Sequence, residues 1–204
     1  YQDIECHTSA RNENQVDARH LPAALPPAEG RIQFQRTLVM KPITIVIPNK
    51  AGQDPMVTIR TLYEQTYQEF DIIIINDFKE NACRARNAGL KMVTTEFVLF
   101  SDNDTGWEPN SIWTLYDTLR NNPKASYSYG WYEMGDKIYG KQDWDPELLL
   151  RKNYIDTRSL VRTADHPGFD PAIKRLQDYD VWLTMLENGK TGAYTGQKLF
   201  NTWV

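Results

Sequence analysis

The stretch ITIVIPNKAGQDPMVTIRTLYEQTYQEFDIIIINDFKENACRARNAGLKMVTTEFVLFSDND, Ile43 to Asp104, decides the fold. It holds three short apolar runs: ITIVI (Ile43–Ile47), FDIIII (Phe70–Ile75) and EFVLF (Glu96–Phe100). Runs of this length and β-branched content mark strands buried on both faces. Between the first two, Ile59, Leu62 and Tyr63 fall at helical spacing, and a second helical segment runs from Ala82 to Met92. Further on, Ile112, Leu115, Tyr116 and Leu119 repeat at helical intervals, Ala125 to Tyr132 is aromatic and strand-like, and Val181, Trp182, Met185 and Leu186 mark a late helix closed by Gly189. The order β-α-β-α-β-α predicts an α/β fold with a mostly parallel central sheet and helices on both faces. In such sheets ligands sit beyond the carboxyl ends of the strands, which is where the chemistry is sought.

Composition narrows the class. The chain has 204 residues, 41% of them apolar, with a formal net charge of −4 and a pI near 5.4. That length favours one compact domain, able to bury about two thirds of the surface its unfolded form exposes. The acidic balance argues against a nucleic-acid partner. No apolar run approaches the roughly 18 residues a membrane span needs, so no transmembrane segment is expected and only peripheral membrane contact stays open. Cys6 and Cys83 lie far apart with no CxxC spacing, which supports neither a disulfide scaffold nor a zinc site. With no signal-peptide pattern at the start, a reducing, cytoplasmic setting is the simpler reading, including the inner face of a membrane. The chain begins at Tyr1 rather than Met, as a fragment or trimmed chain would. Residues 1–40 are polar, carry Pro22, Pro26 and Pro27 and show no apolar period, so they read as an arm or linker ahead of a domain spanning 41–204.

The strand ends carry the candidate chemistry. PNKAG (Pro48–Gly52) has neither the GxGxxG of a dinucleotide fold nor the GxxxxGK[ST] of a P-loop. The second strand ends in Asn76-Asp77, followed by Lys79; a carboxylate there can accept hydrogen bonds from a base or ribose, and a solvated turn is an equally good reading. The third ends in Ser101-Asp102-Asn103-Asp104. Two carboxylates one residue apart form a hard-oxygen site suited to Mg²⁺ or Mn²⁺ holding a diphosphate. An EF-hand loop fails here, because Gly106 is fifth and Trp113 twelfth. A haloacid-dehalogenase type phosphatase has a similar DxDx[TV], but Gly106 stands where Thr or Val belongs; a plain polar turn stays open. Asp178 and Asp180 fall at the start of the late helix, where one is expected to cap it and the other can point into a cleft as a base. All six tryptophans lie beyond residue 100, and Tyr127, Tyr129, Trp131 and Tyr132 crowd together. Such faces suit pyranose rings, though core packing is the commoner role for any single one. The histidines, His7, His20 and His166, show no metal-ligand spacing.

From Ile43 to Val204 these pieces resemble glycosyltransferase family 2, the inverting enzymes with a GT-A fold. ITIVIPNKAG resembles the opening strand with its VIPTYN motif, IINDFK stands at the DDGS-like turn, and CRARNAG resembles the ARNxG helix. FVLFSDND resembles the strand ending in DxD, and PGFDPAIKRLQDYDVWLTMLENG the GGFDE…EDxDLWLRLLExG segment. The resemblance implies a metal-dependent, inverting transfer of a sugar from a nucleotide-diphosphate donor to a glycan or other hydroxyl acceptor. It implies Asp104 as direct ligand of Mn²⁺ or Mg²⁺, Asp102 as support for the metal or the ribose, and Asp178 as catalytic base. Pro48, Asn49, Asp77 and Lys79 would complete the donor site. The chain departs from the pattern at Lys50 and Ala51 in place of Tyr-Asn, at Gln177 in place of Glu, and at Pro167 in place of the first Gly of GGFD. Relatives often supply a further ligand, such as His, after the last strand, and the chain ends at Val204 before one, so a C-terminally short catalytic domain is expected. These departures define the alternative reading, a sugar-nucleotide or glycan-binding module without turnover.

Overall fold

The computed structural model describes residues 41–50, 52–77 and 81–202, and of Asp77 the backbone alone. The arm expected at 1–40, together with Lys79 and Trp203, lies outside the described residues. In chain order the elements are β1 (Ile43–Lys50), α1 (Met56–Tyr63), β2 (Phe70–Asp77), α2 (Ala82–Leu90), β3 (Phe97–Phe100), β4 (Thr105–Trp107), α3 (Ser111–Asn121), β5 (Tyr127–Met134), β6 (Lys137–Tyr139), α4 (Pro146–Leu149), β7 (Leu160–Arg162), a short 3₁₀ turn, α5 (Gln177–Glu187) and β8 (Gly192–Thr202). Across the sheet the order is β2-β1-β3-β7-β5-β8-β4, with β6 paired to β5. β1 lies parallel to both β2 and β3, and β5 parallel to β8, so most of the registered pairs are parallel. β7 runs antiparallel to β3 and β5 and joins the two parallel regions; β4 and β6 add short antiparallel edges.

The alternation of β1 explains the layers. Ile43, Ile45 and Ile47 point to one face, where Phe97 and Leu99 join them under Leu62 of α1 and Ile112, Leu115 and Leu119 of α3. Val46 points to the other face, with Val98 and Phe100, against Cys83 of α2, Leu149 of α4 and Val181, Trp182 and Met185 of α5. Two apolar faces on one strand are what a continuous β-branched run predicts. The same expectation fails for β2, which is the edge of the sheet and leaves Ile74 39% exposed. α2 lies against β1 because Gly89 has no side chain: a methyl group there would overlap Val46. Tyr63, grouped by spacing with Leu62, instead ends α1 at 71% exposed. Tyr127 and Tyr129 are core residues rather than a sugar platform, at 0% and 1% exposed.

β1 and β3 separate at a defined point. The last rung between them is the Ser101 N–H donating to the Val46 carbonyl at 2.9 Å. In a parallel ladder the next rung would come from the N–H of residue 48, and Pro48 has none. Past that point the chain is free to leave the sheet, and Ser101 to Asp104 turn away over the strand ends.

Candidate active site

The turn after β3 is held by hydroxyls and displays two carboxylates. The hydroxyls of Thr58 and Thr105 donate to the Asp102 carbonyl at 3.0 and 2.9 Å, and the Thr105 N–H donates to the Thr58 hydroxyl at 2.8 Å. With its backbone fixed, Asp102 receives two guanidinium groups: Arg86 Nη2 lies 2.7 Å from Oδ1 and Arg158 Nη2 3.6 Å from Oδ2. Burial alone would raise this carboxyl, but the charges of Arg86 and Arg158 outweigh it and hold the group below the usual carboxylate range. Asp104 has the opposite surroundings. It is exposed and forms no ion pair among the described residues, and partial desolvation together with the Asp102 charge pushes its carboxyl up.

A cleft of about 590 Å³ opens in front of this turn, lined by Pro48, Asn49, Lys50, Asn103, Asp102 and Asp104 among others. Asn49 organises its floor: its amide donates to Asn76 Oδ1 at 3.0 Å and its oxygen accepts from Asn103 at 2.7 Å. The structure therefore brings together Pro48, Asn49, Asp102 and Asp104. Asp77 ends β2 in register with Lys50, on the same rim of the sheet. Among the described residues no cluster of three His, Cys, Asp or Glu side chains forms a complete metal cage. The donor set fits a diphosphate-bound cation instead, since such ions are held by one or two carboxylates plus substrate phosphates. Asp104 is the unpaired carboxylate for that role, while both oxygens of Asp102 face guanidinium groups.

Asp178 lines a second cleft of about 420 Å³, with Tyr132, Tyr139, Asn153 and Asp156. The expected helix cap is corrected here. Leu176 occupies the N-cap position with φ 57, no side chain caps α5, and Asp178 sits inside the first turn. Burial pushes its carboxyl up, against hydrogen bonds that favour the charged form, among them the Asn153 amide donating to Oδ2 at 3.0 Å. Asp180 lies further along α5 and lines neither of these clefts. Tyr132 and Tyr139 stack at 5.3 Å and form an aromatic wall beside Asp178.

Arg158 joins the two clefts. Besides Asp102 it pairs with Asp156 at 2.7 Å, and its guanidinium lies 4.3 Å from the Phe200 ring centroid. Neighbouring carboxylates, Asp156 foremost, outweigh burial and hold it firmly protonated. The sequence reading assigned it no role, because Asp-Thr-Arg has no motif value and the stack forms only when β8 arrives. Arg86 was visible, inside CRARNAG, without its purpose. The structure supplies it: Arg86 holds Asp102, Asn87 clamps Phe169 by its N–H (2.9 Å) and carbonyl (2.7 Å), and Gly89 permits the approach to β1. His166 packs against Phe100 and Phe169; desolvation lowers its pKa to about 4, so its imidazole is neutral at pH 7.

Comparison with known proteins agrees with this geometry. Residues 78–173 match the family model described as glycosyl transferase family 2. A UDP-Glc:alpha-D-GlcNAc-diphosphoundecaprenol beta-1,3-glucosyltransferase, WfgD of Escherichia coli, is 30% identical over 130 residues, covering 59% of this chain and 50% of that protein. A putative colanic acid biosynthesis glycosyl transferase, WcaA of Escherichia coli K12, is 24% identical over 125 residues, covering 55% and 45%. The chain thus spans about half the length of the curated relatives it matches. In fold it is similar to S. aureus TarS, solved with UDP, with a TM-score of 0.66 at 15% identity over 79% of this chain and 60% of that one. Family model, relatives and fold agree: the chain is similar to glycosyltransferase family 2 through residues 78–173 and in its curated relatives, and it has a GT-A type fold like that of TarS.

Proposed function

We propose that this domain transfers a sugar from a nucleotide-diphosphate donor to an acceptor hydroxyl, with inversion and with Mn²⁺ or Mg²⁺ at the donor. The observation that carries this reading is the pairing of two clefts across Arg158: one offers Asp104 at the strand ends, the other a desolvated Asp178 beside an aromatic wall. The complex of TarS with UDP-GlcNAc and the UDP-Glc named for WfgD support a uridine nucleotide as the donor class. No described helix is long and apolar enough to cross a membrane. An acceptor presented at the inner face of a membrane would be reached by peripheral contact.

In this reading Asp178 takes the proton of the acceptor hydroxyl as that oxygen attacks the anomeric carbon. Burial that raises its pKa also makes it the stronger base, and the Asn153 amide holds its Oδ2. The opposite-face attack is a single displacement, so no covalent nucleophile is required. Arg158 and Arg86 neutralise Asp102 and keep its charge from repelling the diphosphate. Asp104 would hold Mn²⁺ or Mg²⁺ beside the donor, and the ion would supply positive charge to the leaving group. The phosphatase alternative needs Asp102 as a free nucleophile, and its two guanidinium partners speak against that role.

The test is transfer from UDP-glucose and UDP-GlcNAc to a panel of glycoside acceptors with Mn²⁺, with the product anomer read by NMR. Inverted product supports the reading. Retained configuration refutes inversion, binding without transfer favours the non-catalytic module, and Mg²⁺-dependent phosphate release from phosphomonoesters would revive the phosphatase.

A further inference from the structure

Asp102 belongs to the donor cleft and Asp178 to its neighbour, yet one side chain reaches from the first to the helix that bears the second. Arg86, 7% exposed, donates from Nη2 to Asp102 at 2.7 Å and from Nη1 to Gln177 Oε1 at 3.1 Å. Gln177 is the first residue of α5, and Asp178 is the next. No side chain caps this helix, and its N-cap Leu176 is in the left-handed region at φ 57, so its first turn lacks the usual local anchor. Gln177 supplies one from a distance, since its amide also donates to the Ile173 carbonyl at 3.1 Å. The guanidinium itself is held by the Phe169 ring, 5.4 Å away, and its Nε is buried without a partner. A buried donor left unpaired costs stability, and its persistence is a sign that the two Nη contacts fix where the group must lie.

We propose that Arg86 is a positioning residue: by gripping Asp102 with one nitrogen and Gln177 with the other, it registers the first turn of α5, and with it Asp178, against the donor-side turn. This rests on the reading of Asp178 as the base. The guanidinium fork suits the task because its two nitrogens lie in one rigid plane, so the acceptors at Asp102 and Gln177 hold a fixed separation. At Gln177 the contact needs only an acceptor oxygen, which a glutamate at this position would also provide.

The experiment leaves Arg86 and Asp102 intact and changes Gln177. Gln177→Leu removes the acceptor, and Gln177→Glu keeps one. For Gln177→Leu we expect kcat to fall about 10- to 100-fold, the cost of a misplaced catalytic group, with the Kd for UDP and Mn²⁺ within about twofold of the parent. Gln177→Glu should recover kcat to within about threefold of the parent. A second readout needs no turnover: the carboxyl ¹³C titration of Asp178, assigned by its loss in Asp178→Asn. In Gln177→Leu its midpoint should drop towards the ordinary Asp value as the turn loosens and the carboxyl gains solvent. An unchanged midpoint overturns the proposal, as does a loss of UDP affinity in step with kcat. A parent without transfer would refute the proposed activity alone, and the titration would still decide the bridge.

Discussion

The two clefts contain the same side chain in contrary states. Asp102 lies between two arginines, so its charge is matched and its pKa falls. Asp178 has a neutral amide for a partner, Asp156 as a like charge nearby, and a pKa that rises. The difference teaches what each can do. A carboxylate held charged by two cations is a structural centre with little tendency to take a proton, whereas a desolvated carboxylate without a cationic partner takes one more readily. Environments that push two like groups apart mark the division of labour between them.

The largest effect should come from breaking the second environment. Asp178→Asn keeps shape and the Asn153 contact but removes proton acceptance, and transfer should fall about 10²- to 10⁴-fold while UDP binding and the melting temperature hold. A melting temperature that collapses along with activity would place Asp178 on the structural side. Asp104→Ala should abolish the Mn²⁺-dependent thermal shift given by UDP while leaving the apo melting temperature unchanged; UDP affinity equal to the parent's would remove Asp104 from the donor site. Asp102→Asn is the reverse case. It leaves Arg86 and Arg158 facing a neutral group, and at 32% side-chain exposure the loss should be about 1–3 kcal/mol of stability, read by urea unfolding.

Acid separates the two carboxylates by sign. A depressed folded pKa means the Asp102 contribution is complete above its unfolded value near 4 and is lost as pH falls through the depressed value. Asp178, raised on folding, carries a penalty that is relieved as pH falls through its raised value, and in the proposed mechanism the same protonation switches off the base. The acid limb of kcat should therefore lie above the ordinary Asp range. His166 adds an effect confined to acid. With a folded pKa of about 4 against about 6.5 unfolded, it makes stability decline as pH drops through that window, and His166→Asn should flatten the slope without moving the kcat limb.

Much of this was legible. β1, β2 and β3 follow from short apolar runs, and α3 from a strict apolar spacing that proves wholly buried at Ile112, Leu115 and Leu119. β8 was not: Gly192, Gly196 and Gln197 interrupt any alternation, and its pairing with β5 shifts register around Trp131. β4 and β7, three residues each, are defined by their neighbours rather than by their own pattern. In the site, Asp102 and Asp104 stand out in the sequence because they share one short local pattern. Arg158, Asn153 and Asp156 could not, because their chemistry exists only where β7, α5 and β8 converge. Asp178 lies at a helix start, as its spacing predicts, but that it does not cap the helix depends on the backbone geometry at Leu176, which no composition reveals.

Pro48 acts as a stop on a zipper. With any other residue there, an N–H would be available for the Ser101 carbonyl, and β1 and β3 could close one rung further, carrying Asp102 into the plane of the sheet. An imino acid makes that closure chemically impossible at no cost, since the strand above needs nothing from it. The mouth of the cleft beside Asp104 is thus kept apart by a missing hydrogen, written into the covalent chain before any folding begins.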